Sequence, residues 1–245
     1  MKFLNIIAAA LLVCSCGFIK INDQALKELV DNAVEEGSVR FSSNSGPKVY
    51  ASGNLVSRTF DVGEFDKVQL DFAGDIVYQD GESFVEVVVP DNLADYLKVD
   101  ISNGKLYIRF DGVRVRNIKD AKVIVRTPVL HGLELNGAGD IEMKDAVSTD
   151  NLKLVINGAG DVEVESINVS DKFAVELNGA GDIDVENIKC GSIHLTINGA
   201  GDCEIAGAAG HAKLMINGAG EIDVTKLDCS DVDAHVSGVG KVYRK

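Results

Sequence analysis

The residues best suited to do chemistry in this chain are acidic side chains that recur at a nearly constant interval. A first column contains Asp140, Asp161, Asp182, Asp202 and Glu221, and a second contains Glu142, Glu163, Asp184, Glu204 and Asp223. Repeated carboxylates can bind Ca²⁺, which takes several oxygen ligands, or they can form a solvated surface. We expect the solvated surface and no cofactor, with Ca²⁺ as the alternative, because the glycine-rich nonapeptide of calcium-binding β-helices does not occur here.

Paired carboxylates can also hydrolyse glycosides, so a carbohydrate-active enzyme is the rival hypothesis. Between Thr127 and Tyr243 there is no arginine, and Phe173 is the only aromatic residue. The acids also recur in every unit instead of marking one site. The four histidines take four different positions relative to the repeat, which argues against a shared metal site: His131, His194, His211 and His235. We therefore expect a protein that is not an enzyme.

The acids belong to an internal repeat with the sequence Asn-Gly-Ala-Gly-Asp. Copies begin at Asn136, Asn157, Asn178, Asn198 and Asn217, with a degenerate copy at Ser237 and an earlier imperfect one at Asp71. From Asn136 onward, successive copies are 21, 21, 20, 19 and 20 residues apart. A constant period of about 20 residues is typical of solenoids, in which each repeat is one coil.

Apolar residues alternate with polar ones on both sides of each motif, which predicts short half-buried strands. Apolar columns mark three sides of the coil, represented by Leu135, by Ile141 and by a third set: Ala146, Ile167, Ile188, Ala208 and Leu227. One coil cannot enclose a core, but stacked coils bury a continuous one. The sequence therefore predicts an all-β parallel solenoid.

The repeat motif itself should form the corners of the coils, since glycine accepts positive φ. The corner residues are Asn136, Gly137, Gly139, Asn157, Gly158, Gly160, Asn178, Gly179, Gly181, Asn198, Gly199, Gly201, Asn217, Gly218 and Gly220. The stacked asparagines should lie about 4.8 Å apart and form an amide ladder. Cys203 replaces a core residue, and Cys190 and Cys229 lie two coils apart, beyond disulfide reach.

The N-terminus has the charged and then apolar layout of a secretory signal. It ends in Val13-Cys14-Ser15-Cys16-Gly17, which resembles a bacterial lipobox. We expect a signal peptide over residues 1–15 and a lipid on Cys16, which attaches the chain to the outer membrane. Residues 16–50 should contain this anchor, an amphipathic helix over 22–36 and a linker. The four residues after Cys16 lack an acidic run, so the periplasmic face and the cell surface both stay open.

Charge is distributed unevenly along the chain. The net charge is −14, which argues against nucleic acid as a partner and against docking of the body on an anionic membrane. Residues 131–240 contain 20 Asp and Glu against 6 Lys, and so carry a net −14 by themselves. Within the predicted solenoid domain, 51–245, the stretch 51–130 is strand-like but irregular, with a hairpin turning at residues 102–104, and 131–243 holds the regular coils.

The Gly-Ala-Gly-Asp coils, the lipobox and the stretch FDVGEFDKVQLDFAGDIVYQ at residues 60–79 together resemble the family of putative auto-transporter adhesins with a head GIN domain. The resemblance covers about Ala51 to Tyr243. It implies a right-handed β-helix and an envelope location, and it brings no catalytic residues. We expect an envelope lipoprotein that binds a protein or glycan partner, or serves as a scaffold, through its acidic face. Self-assembly into homo-oligomers is a further alternative.

Overall fold

The computed structural model describes residues 46–245. The predicted signal peptide, Cys16 and the helix over 22–36 lie outside these residues. One 3-10 helix, Asp91–Tyr96, interrupts an otherwise all-β architecture. The strands are β1 Lys48–Tyr50, β2 Leu55–Phe60, β3 Lys67–Leu70, β4 Asp75–Gln79, β5 Phe84–Pro90, β6 Leu97–Ser102, β7 Lys105–Phe110, β8 Arg114–Arg116, β9 Lys122–Arg126, β10 Gly132–Ala138, β11 Ile141–Met143, β12 Val147–Ala159, β13 Val162–Val164, β14 Ile167–Ala180, β15 Ile183–Ala200, β16 Cys203–Asp223, β17 Leu227–Asp228 and β18 Val232–Tyr243.

Successive repeats stack in parallel, each motif directly beside the next. Asn136 pairs with Asn157, and the same register continues through Asn178, Asn198 and Asn217. Each coil has one side before the motif, one after it and a third side that leads to the next coil. The predicted all-β parallel solenoid is therefore confirmed.

Alternate residues on each side point inward and form a single core. Leu135, Ile156 and Leu177 are at most 1% exposed, as are Ile141 and Ile183 on the second side. Burying one such side chain contributes roughly 1.5–3 kcal/mol relative to leaving it in water. Cys203 is also buried, as predicted for a small core residue.

The third side corrects the sequence-based alignment at two positions. Its inward column contains Val147, Ile167, Ile188, Gly207 and Leu227. Ala146 and Ala208, which were predicted to lie there, are exposed. Register shifts occur on or beside this side, so coils of 19 to 21 residues absorb their length differences there.

The imperfect copy at Asp71 forms a true coil, although 65 residues separate it from the next. Its strands β3 and β4 pair in parallel with β10 and β11. The intervening chain supplies β7 and β9 as a further coil and then the antiparallel strands β5 and β6, which cover the end of the stack. The predicted hairpin is confirmed, because Ser102 pairs with Lys105 around Asn103 and Gly104.

The opposite end of the stack is formed by β18, which pairs with β16 alone among the described strands. Val236 continues an inward column, yet it is 36% exposed, whereas Ile216 in the preceding coil is fully buried. Core residues are thus open to solvent at this end. Within residues 46–245, no helix has the length and apolarity needed to cross a membrane.

Candidate binding face

The two acidic columns lie side by side on the second side of the coils, and we call them together the acidic face. Asp140, Asp161, Asp182, Asp202 and Glu221 form its first column, and Glu142, Glu163, Asp184, Glu204 and Asp223 form its second. The strands that carry them point their alternate residues into the core, which forces the acids outward. The face is therefore a repeated, rigid array of carboxylates.

Carboxylates in the first column have a structural role that sequence reasoning missed. The backbone N–H of Asp161 donates to Oδ1 of Asp140 at 2.9 Å, and that of Asp182 donates to Oδ1 of Asp161 at 2.7 Å. The pattern continues to Asp202 and Glu221. We had expected only splaying into solvent or sharing of cations. Instead, one oxygen of each aspartate satisfies a backbone donor of the next coil, which offsets repulsion between neighbours.

A lysine occupies the next register position beyond each end of the first acidic column. Asp75, in the imperfect copy, extends the column and lies opposite Lys122 in the strand register, while Glu221 lies opposite Lys241 in the last coil. The copy at Asp71 was the sequence signal that located Asp75. The first acidic column is thus followed by a lysine position at each end.

The acidic face contains a shallow groove of about 400 Å³. Val162, Ile183 and Cys203 contribute to its lining between the carboxylates. Tyr243 lies at one end, where its hydroxyl donates to Glu221 Oε1 at 3.3 Å. Eight of its lining residues are acidic and none is basic, so the groove can hold an extended chain that carries positive charges.

Local partners influence the titration of two groups at the end of the face. The Thr225 hydroxyl and backbone N–H bind the Asp223 carboxylate and lower its pKa. The Glu204 carboxylate accepts a hydrogen bond from Lys226 and raises the pKa of that ammonium. Both groups keep their charges at neutral pH.

The repeat glycines are required for close stacking of the coils. A Cβ on Gly158 would lie 1.7 Å from the carbonyl oxygen of Gly137, and Gly158 has φ of +153°. The strand continues through Asn157, Gly158 and Ala159 and is interrupted only at Gly160 and Asp161. The first glycine is therefore a site where two backbones approach each other, within the motif that separates the first and second sides of the coil.

Stacked asparagines lie on the first side of the coils, apart from the acidic face, and we call them the Asn ladder. The Nδ2 group of Asn178 donates to Oδ1 of Asn157 at 2.8 Å, and equivalent bonds of 2.7–2.8 Å join the ladder from Asn136 to Asn217. All amides donate toward the imperfect copy, where Asn136 donates to Asp71 at 2.7 Å. These residues satisfy one another and serve the fold.

The other polar residues singled out in the sequence do not converge on one site. Cys190 and Cys229 are free, as is Cys203. His131 lies between Asp66 and Asp150, with 2.9 Å from each ring nitrogen to a carboxylate oxygen, whereas His211 contacts Asp231. Burial lowers the pKa of His194. Within residues 46–245, no group of three or more His, Cys, Asp or Glu side chains is arranged to hold a metal ion.

Comparisons with known proteins agree on the type of domain. The profile of a family described as "Putative auto-transporter adhesin, head GIN domain" matches residues 64–171 and 165–244. A crystal structure of a putative adhesin from Bacteroides fragilis shares 24% identity, with a TM-score of 0.65 over 80% of this chain and 100% of that one. A putative adhesin from Parabacteroides distasonis shares 20% identity, with a TM-score of 0.58 over 81% and 100%. Curated protein sequences gave no match.

Proposed function

The chain belongs to the family described as "Putative auto-transporter adhesin, head GIN domain", and we propose that it is a non-catalytic adhesion lipoprotein that binds a cationic segment of a partner through its acidic face. The family description supports an adhesion-type role and a location in the cell envelope or at its surface. The finer proposal rests on one observation, the array of ten carboxylates along five coils.

The geometry of the acidic face favours a charged, extended partner. Neighbouring parallel strands repeat about every 4.8 Å, and an extended peptide advances about 3.3 Å per residue. A lysine-rich segment can therefore place ammonium groups beside the carboxylates, and its alkyl stems can lie along the groove between the two columns. One oxygen of each first-column aspartate accepts a backbone N–H, so the aspartates of the first column are ordered before a partner binds.

Anchoring is the second part of the proposal. We propose that Cys16 carries the lipid and attaches the chain to the outer membrane, on the basis of the lipobox-like sequence before it. Mass spectrometry of membrane-extracted protein tests this directly. We expect an acylated N-terminal Cys16, and an unmodified N-terminus would contradict anchoring.

Binding of octalysine tests the acidic face. The probe is titrated into residues 44–245, a compact unit that contains the core of the described residues, and octaglutamate serves as the negative control. The variant Glu163→Gln/Asp184→Asn removes two carboxylates that make no backbone hydrogen bond within the described residues. We expect affinity to fall roughly 3- to 10-fold, since exposed ion pairs contribute about 0.2–1 kcal/mol each.

Glu64→Gln/Asp171→Asn is the matched control, because it removes the same charge from exposed positions outside the face. It should change octalysine affinity less than twofold if exposed charges away from the contact are screened by salt, roughly beyond 10 Å at 0.1 M. Equal losses in both variants would show non-specific attraction to net charge and would contradict the proposal.

Self-assembly remains a second candidate because of the open end of the stack. Val239 in β18 is 81% exposed, and β18 presents a free edge among the described strands. Unpaired edges promote association between chains. Light scattering at increasing protein concentration distinguishes the two candidates: a constant monomer mass favours partner binding, and concentration-dependent growth favours assembly.

A further inference from the structure

A small parallel ribbon outside the solenoid carries positive charge on one face. Strands β1 and β8 form a separate two-stranded sheet in which Lys48 pairs with Arg114 and Tyr50 pairs with Arg116. Paired residues, and residues two apart on a strand, point to the same side. Lys48, Arg114, Arg116 and Tyr50 therefore share one face, which we call the cationic ribbon.

The cationic ribbon faces water, whereas its other side packs inward. Lys48 and Arg116 are exposed, Tyr50 is 62% exposed, and Val49 and Val115 on the opposite side are half-buried. None of the three cations forms an ion pair with a carboxylate of residues 46–245. Arg114 donates one hydrogen bond, from Nε to the Gly46 carbonyl at 3.0 Å. Three cations and an aromatic ring are thus available to an external anion.

The net charge of the whole chain argues against docking on an anionic membrane, but the negative charge is concentrated in the regular coils. Five of the six arginines among residues 46–245 lie between positions 58 and 126, where 10 Lys and Arg stand against 13 Asp and Glu; this stretch is thus near neutral, while the regular coils carry a net −14. Arg114 and Arg116 line one pocket with Asp71, Phe72 and Phe110, and Phe110 pairs with Leu97 of β6 at the covered end of the stack. Coils stack about 4.8 Å apart, so most of the acidic face lies more than a Debye length, about 10 Å at 0.1 M salt, from this end.

We propose that the cationic ribbon docks on an anionic phospholipid surface and orients the covered end of the solenoid toward the membrane. Lys48 follows Cys16 by 32 residues, so the ribbon is the first described element after the proposed anchor. Lys and Arg bind anionic headgroups, and an exposed tyrosine suits the interface between headgroups and acyl chains. A lipid chain and a basic patch are the two signals that together give stable membrane attachment. The acidic coils then point away from the like-charged surface.

Vesicle binding of residues 44–245, which lack the lipid, tests the ribbon alone. Vesicles of phosphatidylcholine are compared with equal mixtures of phosphatidylcholine and phosphatidylglycerol, at low and high salt. We expect salt-sensitive binding to the mixture only. Lys48→Gln/Arg114→Gln/Arg116→Gln should lower the partition coefficient roughly 100-fold, since each cation near an anionic surface contributes about fivefold.

The control Lys144→Gln/Lys189→Gln/Lys226→Gln removes the same charge from exposed positions on the coils and should not weaken vesicle binding. Thermal melts verify that both variants are folded. Octalysine affinity should be the same in the ribbon variant and the wild type, so failure of the ribbon and failure of the acidic face are distinguishable. Absence of phosphatidylglycerol-dependent binding, or equal losses in the two variants, would overturn the proposal.

Orientation can be measured because the chain contains no tryptophan. Tyr50→Trp places a reporter on the ribbon, and Val239→Trp places one in the last coil, at a position that is 81% exposed. Brominated lipids in the mixed vesicles should quench the first reporter and not the second. Equal quenching of both reporters, or quenching of the second alone, would contradict the proposed orientation.

Discussion

The carboxylate of Asp182 accepts the backbone N–H of Asp202, one coil further along the solenoid, with an N···Oδ1 distance of 2.9 Å. This contact gives the repeated acid two roles. One oxygen holds the next coil in place, and the rest of the carboxylate contributes to the acidic face. A residue that looks like a candidate ligand in the sequence is therefore also part of the scaffold.

Replacements of Asp182 should separate these two roles. Asp182→Asn keeps the oxygen that accepts the Asp202 N–H and removes charge repulsion, so we expect stability within about 0.5 kcal/mol of wild type. Asp182→Ala leaves that donor without its partner and should cost about 1–2 kcal/mol. Urea unfolding measures both values. At Asp184, whose carboxylate accepts no backbone N–H within the described residues, the Asn and Ala variants should be alike, and a difference there equal to that at Asp182 would contradict a stabilising role for the Asp182–Asp202 contact.

Gly158→Ala should be among the most damaging single-methyl additions in the chain. The new Cβ would lie 1.7 Å from the Gly137 carbonyl oxygen, at a φ of +153° that other residues rarely adopt. Backbone strain and overpacking together predict a loss of at least about 3 kcal/mol. Gly53→Ala adds the same methyl where no atom lies within 4 Å. If both variants have the same urea midpoint, the coils do not stack as closely as described.

Loss of one amide should weaken the Asn ladder at its centre. Asn178 donates to Asn157 and to Glu176, and it accepts from Asn198. Asn178→Ala removes these bonds, and we expect a cost of about 1–3 kcal/mol in chemical unfolding. The side chain of Asn151 forms no hydrogen bond within residues 46–245, so Asn151→Ala should be nearly neutral. Equal effects at the two positions would show that the ladder does not stabilise the fold.

The free energy of unfolding at alkaline pH should depend on the buried Tyr78. Burial, with the nearby charges of Asp80 and Asp145, raises its pKa from 10.0 to about 12. The unfolded state therefore loses this proton first, and the stability that Tyr78 contributes is present below pH 10 and is lost as pH rises toward 12. Tyr78→Phe should lose less stability than wild type across this interval in urea unfolding. Parallel losses in the two proteins would mean that Tyr78 does not control the alkaline transition.

The coil architecture was predictable because two periods coincide in the sequence. The 20-residue repeat fixes which residues are neighbours between coils, and the period of two fixes which face inward, as Leu135 and Ile141 illustrate. Ala146 and Ala208 were placed wrongly because length differences are absorbed on or beside the third side. Counting from the motif cannot locate a residue once the coils differ in length between the motif and that residue.

Contacts across long stretches of chain were beyond sequence reasoning. The copy at Asp71 was visible, but its partner coil begins 65 residues later, after a segment that covers the end of the stack. Similarly, Lys48 and Arg114 are 66 positions apart and have no repeat to link them, so the cationic ribbon emerged only from strand pairing. The hydrogen bond from the Asp202 backbone to Asp182 could not be predicted either, because the sequence does not distinguish a solvated carboxylate from one that accepts a backbone N–H.

Amide chemical-shift mapping of residues 44–245 with octalysine tests the central claim most directly, because it locates the bound probe. The proposed function predicts shifts concentrated at Glu163, Asp184 and Glu204, and little change along the Asn ladder or at the ribbon residues Lys48 and Arg116. Shifts spread evenly over exposed acids, or centred outside the acidic face, would contradict a dedicated binding surface.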